Sequence, residues 1–304
     1  MTGADSFPQD LRWRRELARE LTTRARAPTR EAESASISFG GKTRRVCVTG
    51  PPGAGKSSLI AILAREWVRA DCKVGVLAID PTSPLSGGSL LGDRIRMDEV
   101  AQDPNVFIRS LSSGNACDGL CPNISSLLTA FEQANFDYLI LETVGVGQVS
   151  YEARSMVDTF VLVLVPESGD TVQAMKAGIL EVADIYVINK ADRSASAKLA
   201  TELRSIASWR GRSHGWAPPV ILTSIADPRG ASELAKAIDD HRNTVMSEER
   251  MHALATARRE YHIRSLINQR VNEILASSRD DIHRAPITDS LRLIIDRLRT
   301  DGTI

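Results

Sequence analysis

Eight consecutive residues, Gly50-Pro51-Pro52-Gly53-Ala54-Gly55-Lys56-Ser57, read G-x-x-x-x-G-K-S. A glycine-rich turn of this length lets successive backbone N–H groups converge on one point, where they and a helix N-terminus form a concave positive site for phosphate oxygens. Lys56 adds a full charge with the reach for β- and γ-phosphates, and the Ser57 hydroxyl is a ligand for Mg²⁺. Ser58 follows within the same phosphate-binding set. The flanks fit, because an apolar run (Val46, Cys47, Val48) precedes the loop and a helical pattern (Leu59, Ile62, Leu63, Trp67) follows it. Strand, loop and helix in that order imply a nucleoside triphosphate site.

A second motif chooses the base. Asn189-Lys190-Ala191-Asp192 reads N-K-x-D directly after the apolar run Ile185–Ile188. The Asp192 carboxylate accepts two hydrogen bonds, from N1–H and the exocyclic amine of guanine. Adenine has no such donor pair and would leave a buried Asp192 unpartnered. Asn189 supports the loop and the Lys190 stem covers the base face. Thr223-Ser224-Ile225-Ala226 stands after the last apolar run, where the backbone N–H groups of Ser224, Ile225 and Ala226 would meet the guanine carbonyl. A plain turn role for the Ser224 side chain stays open. The expected ligands are GTP and GDP.

Three acids fit a metal and catalytic shell around Lys56 and Ser57: Asp80 in Ala78-Ile79-Asp80-Pro81, Asp93 in Gly92-Asp93-Arg94, and Glu142 closing the run Tyr138–Leu141. Carboxylates at the C-terminal ends of parallel strands face the ligand crevice. Mg²⁺ would then be held by Ser57, Asp80, Asp93 and Glu142, with Lys56, Asp80 and Glu142 as the catalytic groups. The alternative for the acids is a solvated charge. Glu142-Thr143-Val144-Gly145 departs from the D-x-x-G of small GTPases, and Gln148 does not directly follow Gly145. The water-positioning glutamine of Ras-like proteins is therefore not assured, and slow turnover accelerated by a partner is expected, with Gly145 and Gln148 in a switch.

The elements that must position these residues are legible as alternating runs. Strands are expected at Val46–Thr49, Val74–Ile79, Val106–Ile108, Tyr138–Leu141, Phe160–Val165, Ile185–Ile188 and Val220–Leu222. Helices are expected at Ser58–Ala70, Ser125–Ala134, Thr171–Val182, Ser196–Trp209 and Ser232–His241. Near-continuous β-branched runs suit strands buried on both faces, so the fold class is α/β: a mostly parallel sheet covered by helices on both sides. Residues 1–38 read as a helical extension around Leu11, Leu17 and Leu21, residues 39–243 as the nucleotide-binding domain, and 244–304 as a helical arm. In that arm Ser247–Ala276 is one long helix, and Pro286 separates it from a shorter one carrying Leu291, Ile294, Ile295 and Leu298. The apolar stripe of the long helix needs a cover, either a second copy of the chain or its own α/β domain.

Across 304 residues, Lys+Arg and Asp+Glu balance at 38 each, which gives no electrostatic footprint for nucleic acid or an anionic membrane. No apolar run is long enough to span a bilayer. The N-terminus lacks the apolar core of a secretory signal. Its acids Glu16, Glu20, Glu31 and Glu33 argue against a mitochondrial presequence, so a cytoplasmic protein is expected. Four cysteines in a chain this long suit reduced thiols rather than a disulfide framework.

Longer stretches carry a resemblance. They are Val76-Leu77-Ala78-Ile79-Asp80-Pro81-Thr82-Ser83-Pro84, continuing from Gly87 through Met97; Phe107-Ile108-Arg109-Ser110; Glu142-Thr143-Val144-Gly145-Val146-Gly147-Gln148; and Gly178-Ile179-Leu180-Glu181-Val182-Ala183-Asp184. Together they resemble the MeaB/ArgK family of P-loop GTPases in the SIMIBI class, over about residues 44–243 and more weakly in both flanks. The resemblance implies a homodimeric G-protein chaperone of an adenosylcobalamin-dependent acyl-CoA mutase, gating cofactor delivery and protecting or reactivating the mutase. It makes Asp80–Met97 a first switch, Glu142–Ser155 a second and Glu167–Lys176 a third, and it assigns the C-terminal helix to dimerisation.

The sequence departs from that pattern at Gly114-Asn115-Ala116-Cys117-Asp118-Gly119-Leu120-Cys121, at Val149-Ser150-Tyr151-Glu152 after Gln148, and at Asp227-Pro228-Arg229-Gly230. These changes fall in switch or partner-facing segments and point to a client other than the methylmalonyl enzyme. Two alternatives remain. Cys117 and Cys121 are spaced for a metal site like that of nickel-insertion GTPases, although no histidine lies near them. A protein kinase reading, an older label for the family, finds no acceptor-activating base and conflicts with N-K-A-D.

Overall fold

The computed structural model describes residues 12–27, 41–80, 97–113, 120–121, 123–143, 149–166, 178–224, 227 and 229–300. Seven strands form one sheet: β1 (Arg44–Thr49), β2 (Val74–Asp80), β3 (Val106–Ser112), β4 (Tyr138–Glu142), β5 (Thr159–Leu164), β6 (Ile185–Asn189) and β7 (Val220–Thr223). Their order is β3-β2-β4-β1-β5-β6-β7 and every pairing is parallel. All seven expected strands are present. The chain leaves β1 toward one edge for β2, β3 and β4, and toward the other for β5, β6 and β7. That reversal places the ligand crevice at the C-terminal end of β1.

Strand side chains alternate between two cores, as the pleat requires. Val46, Val48, Val161 and Val163 face a cluster closed by Leu59, Ile60, Leu63 and Trp67 of α2 (Lys56–Arg69), Val100 of α3 (Asp98–Ala101), and Leu234 and Ile238 of α8 (Arg229–Val245). Cys47, Phe160, Leu162 and Leu164 face the opposite cluster. There they meet Leu127, Leu128 and Phe131 of α4 (Ile124–Gln133), Ala153 and Met156 of α5 (Val149–Met156), Ile179 and Leu180 of α6 (Ile179–Val182), and Leu199 and Leu203 of α7 (Ser196–His214). The expected helix at Thr171–Val182 is described only as α6, because residues 167–177 lie outside the described ones. Helices α3 and α5 were not expected from the sequence.

The N-terminal helix α1 (Arg12–Arg26) packs on the domain through buried Leu17 and Leu21. Its Arg24 donates to the Ser126 carbonyl at 2.8 Å, and Arg109 of β3 donates to Thr22 at 2.8 Å. Trp13 lies edge-on to Phe136, with the Lys73 ammonium 4.0 Å from its ring centre.

After α8 come α9 (Glu248–Ser277), α10 (Arg279–Arg284) and α11 (Ile287–Thr300). Ser247 caps α9, its hydroxyl accepting from the Arg250 N–H at 3.3 Å. The helix ends at Ser277, ahead of Pro286, where the buried Ser278 hydroxyl donates back to the Ile274 carbonyl at 2.6 Å. One side of α9 packs on α5 and α11 and buries Arg258, Tyr261, His262 and Ile274. Its other side exposes Met251, Ile263, Ile267 and Leu275, and α11 exposes Ile287, Leu291 and Ile295. Among the described residues, the stripe of the long helix is thus covered only in part. No helix among the described residues is long and apolar enough to cross a membrane.

Candidate functional site

At the crevice, β1 ends at Thr49 and the loop from Gly50 to Gly55 leads into α2. Gly50 has φ +150°, and a Cβ there would lie 2.0 Å from the Val163 carbonyl oxygen of β5. Gly55 caps α2 in the left-handed conformation, φ 83° and ψ 25°. The Ala54 N–H closes the turn on the Pro51 carbonyl at 3.2 Å, while Pro52 and Gly53 are exposed. The Lys56 ammonium lies across this turn, donating to the Gly50 and Pro51 carbonyls at 3.0 and 3.1 Å. The loop thereby presents N–H groups and one lysine at the start of a 14-residue helix, the arrangement that attracts phosphate.

Beside it stand the strand-end acids. The buried Ser57 hydroxyl donates to Glu142 Oε1 at 3.0 Å. Glu142 closes β4 opposite Val48 of β1 and Ala78 of β2. Asp80 ends β2 on the neighbouring strand, and both acids are almost fully buried, at 3% and 4% exposure. That burial removes the reading of either one as a solvated charge. A hydroxyl and two buried carboxylates at one end of adjoining elements are the hard oxygen donors that Mg²⁺ takes, normally with water and phosphate completing its shell. Ser57, Glu142 and Asp80 therefore fit the ion. Asp93, Gly145 and Gln148 lie outside the described residues.

The base loop is braced against the phosphate loop. Asn189, the last residue of β6, donates from Nδ2 to the Ala54 carbonyl at 2.8 Å, and Lys190, with φ 57°, reaches the Gly53 carbonyl at 2.9 Å. Thr223 completes the brace from β7. Its hydroxyl donates to Asn189 Oδ1 at 3.1 Å, and its carbonyl accepts the Ala191 N–H at 3.0 Å. Thr223 was not among the site residues expected from the sequence. Its position directly before Ser224 was the only available signal.

Asp192 is exposed, not buried as the sequence reading had it, because the chain leaves the sheet at Asn189 and the loop projects beyond it. Ser224 forms a short antiparallel bridge with Asp227, a turn role, and Ile225 and Ala226 lie outside the described residues. Ser58, Leu59, Ile62, Asn189, Thr223, Ser224, Asp227 and Ala231 line a cleft between α2 and this loop.

The brace makes Gly55 the tightest point of the site. A Cβ there would meet Asn189 Nδ2 at 2.4 Å, and the two hydrogen bonds on that amide keep it from swinging aside. Gly55→Ala is expected to weaken GDP binding roughly 10- to 100-fold, from about 1–3 kcal/mol of backbone and steric strain. Titration with a fluorescent GDP analogue checks this; unchanged affinity would mean that Asn189 yields.

A parallel sheet with a G-x-x-x-x-G-K-S loop at its switch point, and an N-K-x-D loop hydrogen-bonded to it, defines a P-loop protein of the guanine-nucleotide-binding class. The family model described as "Methylmalonyl Co-A mutase-associated GTPase MeaB" matches residues 17–280, and the chain belongs to that family. It is 42% identical over 226 residues to a putative GTPase of Pyrococcus abyssi, covering 73% of this chain and 70% of the relative. It is 35% identical over 269 residues to the GTPase ArgK of Escherichia coli, covering 85% and 80%. The mouse methylmalonic aciduria type A homolog, a mitochondrial protein, is also 35% identical over 269 residues; the match covers 86% of this chain and 63% of that one. A crystal structure described as a LAO/AO transport system kinase shares the fold, with a TM-score of 0.62 at 24% identity over 94% of this chain and 93% of the other.

The metal-insertion alternative gains no support from side-chain geometry. Among the described residues no three His, Cys, Asp or Glu side chains gather as a metal site, Cys121 is buried, and Cys117 lies outside the described residues.

Proposed function

We propose that this chain is a GTP-hydrolysing chaperone that gates adenosylcobalamin loading into a cobalamin-dependent acyl-CoA mutase and protects or reactivates that enzyme. The observation that carries the reading is the match of a mutase-associated GTPase family to residues 17–280. The likeness to the mouse methylmalonic aciduria protein supports it.

In this reading the loop Gly50–Ser58 cradles the phosphates of GTP and Lys56 neutralises charge on the β- and γ-phosphates. Asn189 and Lys190 shape the base pocket, Asp192 reads guanine, and Ser224, Ile225 and Ala226 close on the base. Ser57, Asp80, Asp93 and Glu142 hold the magnesium site. Held by these residues, magnesium would supply positive charge against the negative charge that builds on the phosphates as GTP is cleaved. The buried carboxylates of Asp80 and Glu142 orient water at the same strand ends, in a pocket whose low dielectric strengthens each contact. Gly145 and Gln148 belong to a switch that completes the site with the client bound, so the isolated chain turns over slowly.

Residues 1–38, 39–243 and 244–304 serve in this scheme as extension, G domain and dimerisation arm of a cytoplasmic homodimer. The exposed Met251, Ile263 and Ile267 of α9 and Ile287 and Leu291 of α11 suit that arm. The client is an acyl-CoA mutase, and the departures around Cys117–Cys121 and Val149–Glu152 favour one other than the methylmalonyl enzyme.

GTP turnover measured with and without a panel of purified cobalamin mutases tests the proposal. One mutase is expected to raise kcat at least tenfold and to load adenosylcobalamin in a GTP-dependent manner. Absence of both effects across the panel would sink it.

A further inference from the structure

Where β1 runs into the phosphate loop, two hydroxyls meet inside the protein. Thr143 Oγ1 donates to Thr49 Oγ1 at 2.9 Å, and both residues are fully buried. Thr49 directly precedes Gly50, and Thr143 directly follows Glu142. The last ladder pair between these strands is Val48 with Glu142. The Thr143 N–H reaches the Val48 carbonyl at 3.3 Å, just past the usual range for such a bond. The hydroxyl pair therefore carries the junction of β1 and β4 one step past the end of their backbone pairing.

The pair belongs to a short polar ladder. Cys47 and Thr49 point to the same face of β1, since strand residues two apart share a face. The Cys47 thiol, pushed up to about 12 by burial, is also hydrogen-bonded to Thr143. This is the face covered by α5, whose Ala153 and Met156 pack in the same cluster as Cys47. Valine fills comparable strand positions elsewhere, as at Val46, Val48, Val161 and Val163. A buried hydroxyl pair adds nothing to burial that valine would not give, but it fixes a direction that valine cannot.

We propose that Thr143 is a positioning residue for GTP hydrolysis: its hydrogen bond to Thr49 locks the end of β4 to the root of the phosphate loop and so holds Glu142 against Ser57. Glu142 touches Ser57 across an element boundary, from β4 to α2. A slip of β4 by a few tenths of an ångström would stretch that 3.0 Å contact, and the Thr143 brace opposes the slip at the adjoining residue. The inference rests on the guanine-nucleotide reading of the site and adds to it a residue that touches neither nucleotide nor metal.

The test compares Thr143→Val, Thr49→Val, the double variant and Thr143→Ser. Thr143→Val is expected to lower kcat for GTP about tenfold and to raise the magnesium concentration that half-retards release of fluorescent GDP about fivefold. GDP affinity measured in EDTA is expected to stay within twofold, which separates positioning from loss of the fold. Thr143→Ser restores both properties, and the double variant is no worse than Thr143→Val alone, because the bond to Thr49 is already lost in that single variant. Unchanged kcat and magnesium dependence in Thr143→Val, or additive losses in the double variant, would overturn the proposal. A wild-type chain that binds no GDP would instead overturn the reading of the site itself.

Discussion

Asp192→Asn is expected to reverse the base preference of this protein from guanine toward xanthine. In the proposed site the carboxylate accepts twice, from N1–H and the exocyclic amine of guanine. An asparagine amide keeps one acceptor and places a donor against the second guanine donor. Xanthine has a carbonyl where guanine has its amine, so the same amide satisfies it. A closed site that leaves such groups unpaired discriminates by roughly 10⁴-fold or more. Asp192 is exposed, so water relieves part of the mismatch, and kcat/KM for GTP is expected to fall on the order of 10³-fold, about 4 kcal/mol. The loop itself remains braced through Asn189, Lys190 and Thr223, whose bonds do not involve Asp192. Steady-state hydrolysis of GTP and xanthosine triphosphate by both proteins checks the reversal. An equal loss with both nucleotides would assign Asp192 to loop folding instead of base reading.

The positions of the strands along the chain and the place of the candidate site were legible because each rests on a local pattern, whereas the order of the strands in the sheet was not read from the sequence. Short, β-branched apolar runs such as Ile185–Ile188 suit strands buried on both faces, and a glycine-rich loop between such a run and a helix has few other uses. The bracing of the site was not legible, because it is made by pairs far apart in sequence. Thr143 with Thr49, and Thr223 with Asn189, are threonines that look like any other strand-end residue until the sheet brings them together. Helix α5 was missed because Val149-Ser150-Tyr151-Glu152 follows a glycine-rich segment and reads as loop; its packing against α9 supplies what local propensity does not. The burial assumed for Asp192 failed for a related reason. A motif tells which groups a residue can bond, whereas exposure depends on how far the loop stands from the sheet.

The same limit hides a charge cluster at the opposite end of the sheet, and with it the largest expected effect on stability. Arg45, at the start of β1, pairs with Glu132 of α4 at 2.8 Å, both nearly buried. Its backbone N–H donates to Asp158 at 2.9 Å, and Asp158 also pairs with Arg258 of α9 at 2.7 Å. Two guanidiniums and two carboxylates thus close the base of the domain, and one of them belongs to the long C-terminal helix. Burial pushes the Arg45 guanidinium down and the nearby Arg258 adds to this, while Glu132 and Asp158 oppose it. Removing an acid therefore strands two cations with one carboxylate. Asp158→Asn is expected to cost about 3–5 kcal/mol, as breaking a buried ion pair does. Arg258→Ala is expected to cost less, about 2–3 kcal/mol, because Asp158 keeps the Arg45 N–H and lies in the field of its guanidinium. Replacing both partners at once, Asp158→Leu with Arg258→Met, is expected to recover most of the loss, since no charge is left unpaired. Urea unfolding at neutral pH checks all three, and a cost below about 1 kcal/mol for Asp158→Asn would mean that water reaches the cluster. Asp158 stands two residues past the end of α5, which itself packs on α9, so the cluster ties α5, β1, α4 and the C-terminal helix together.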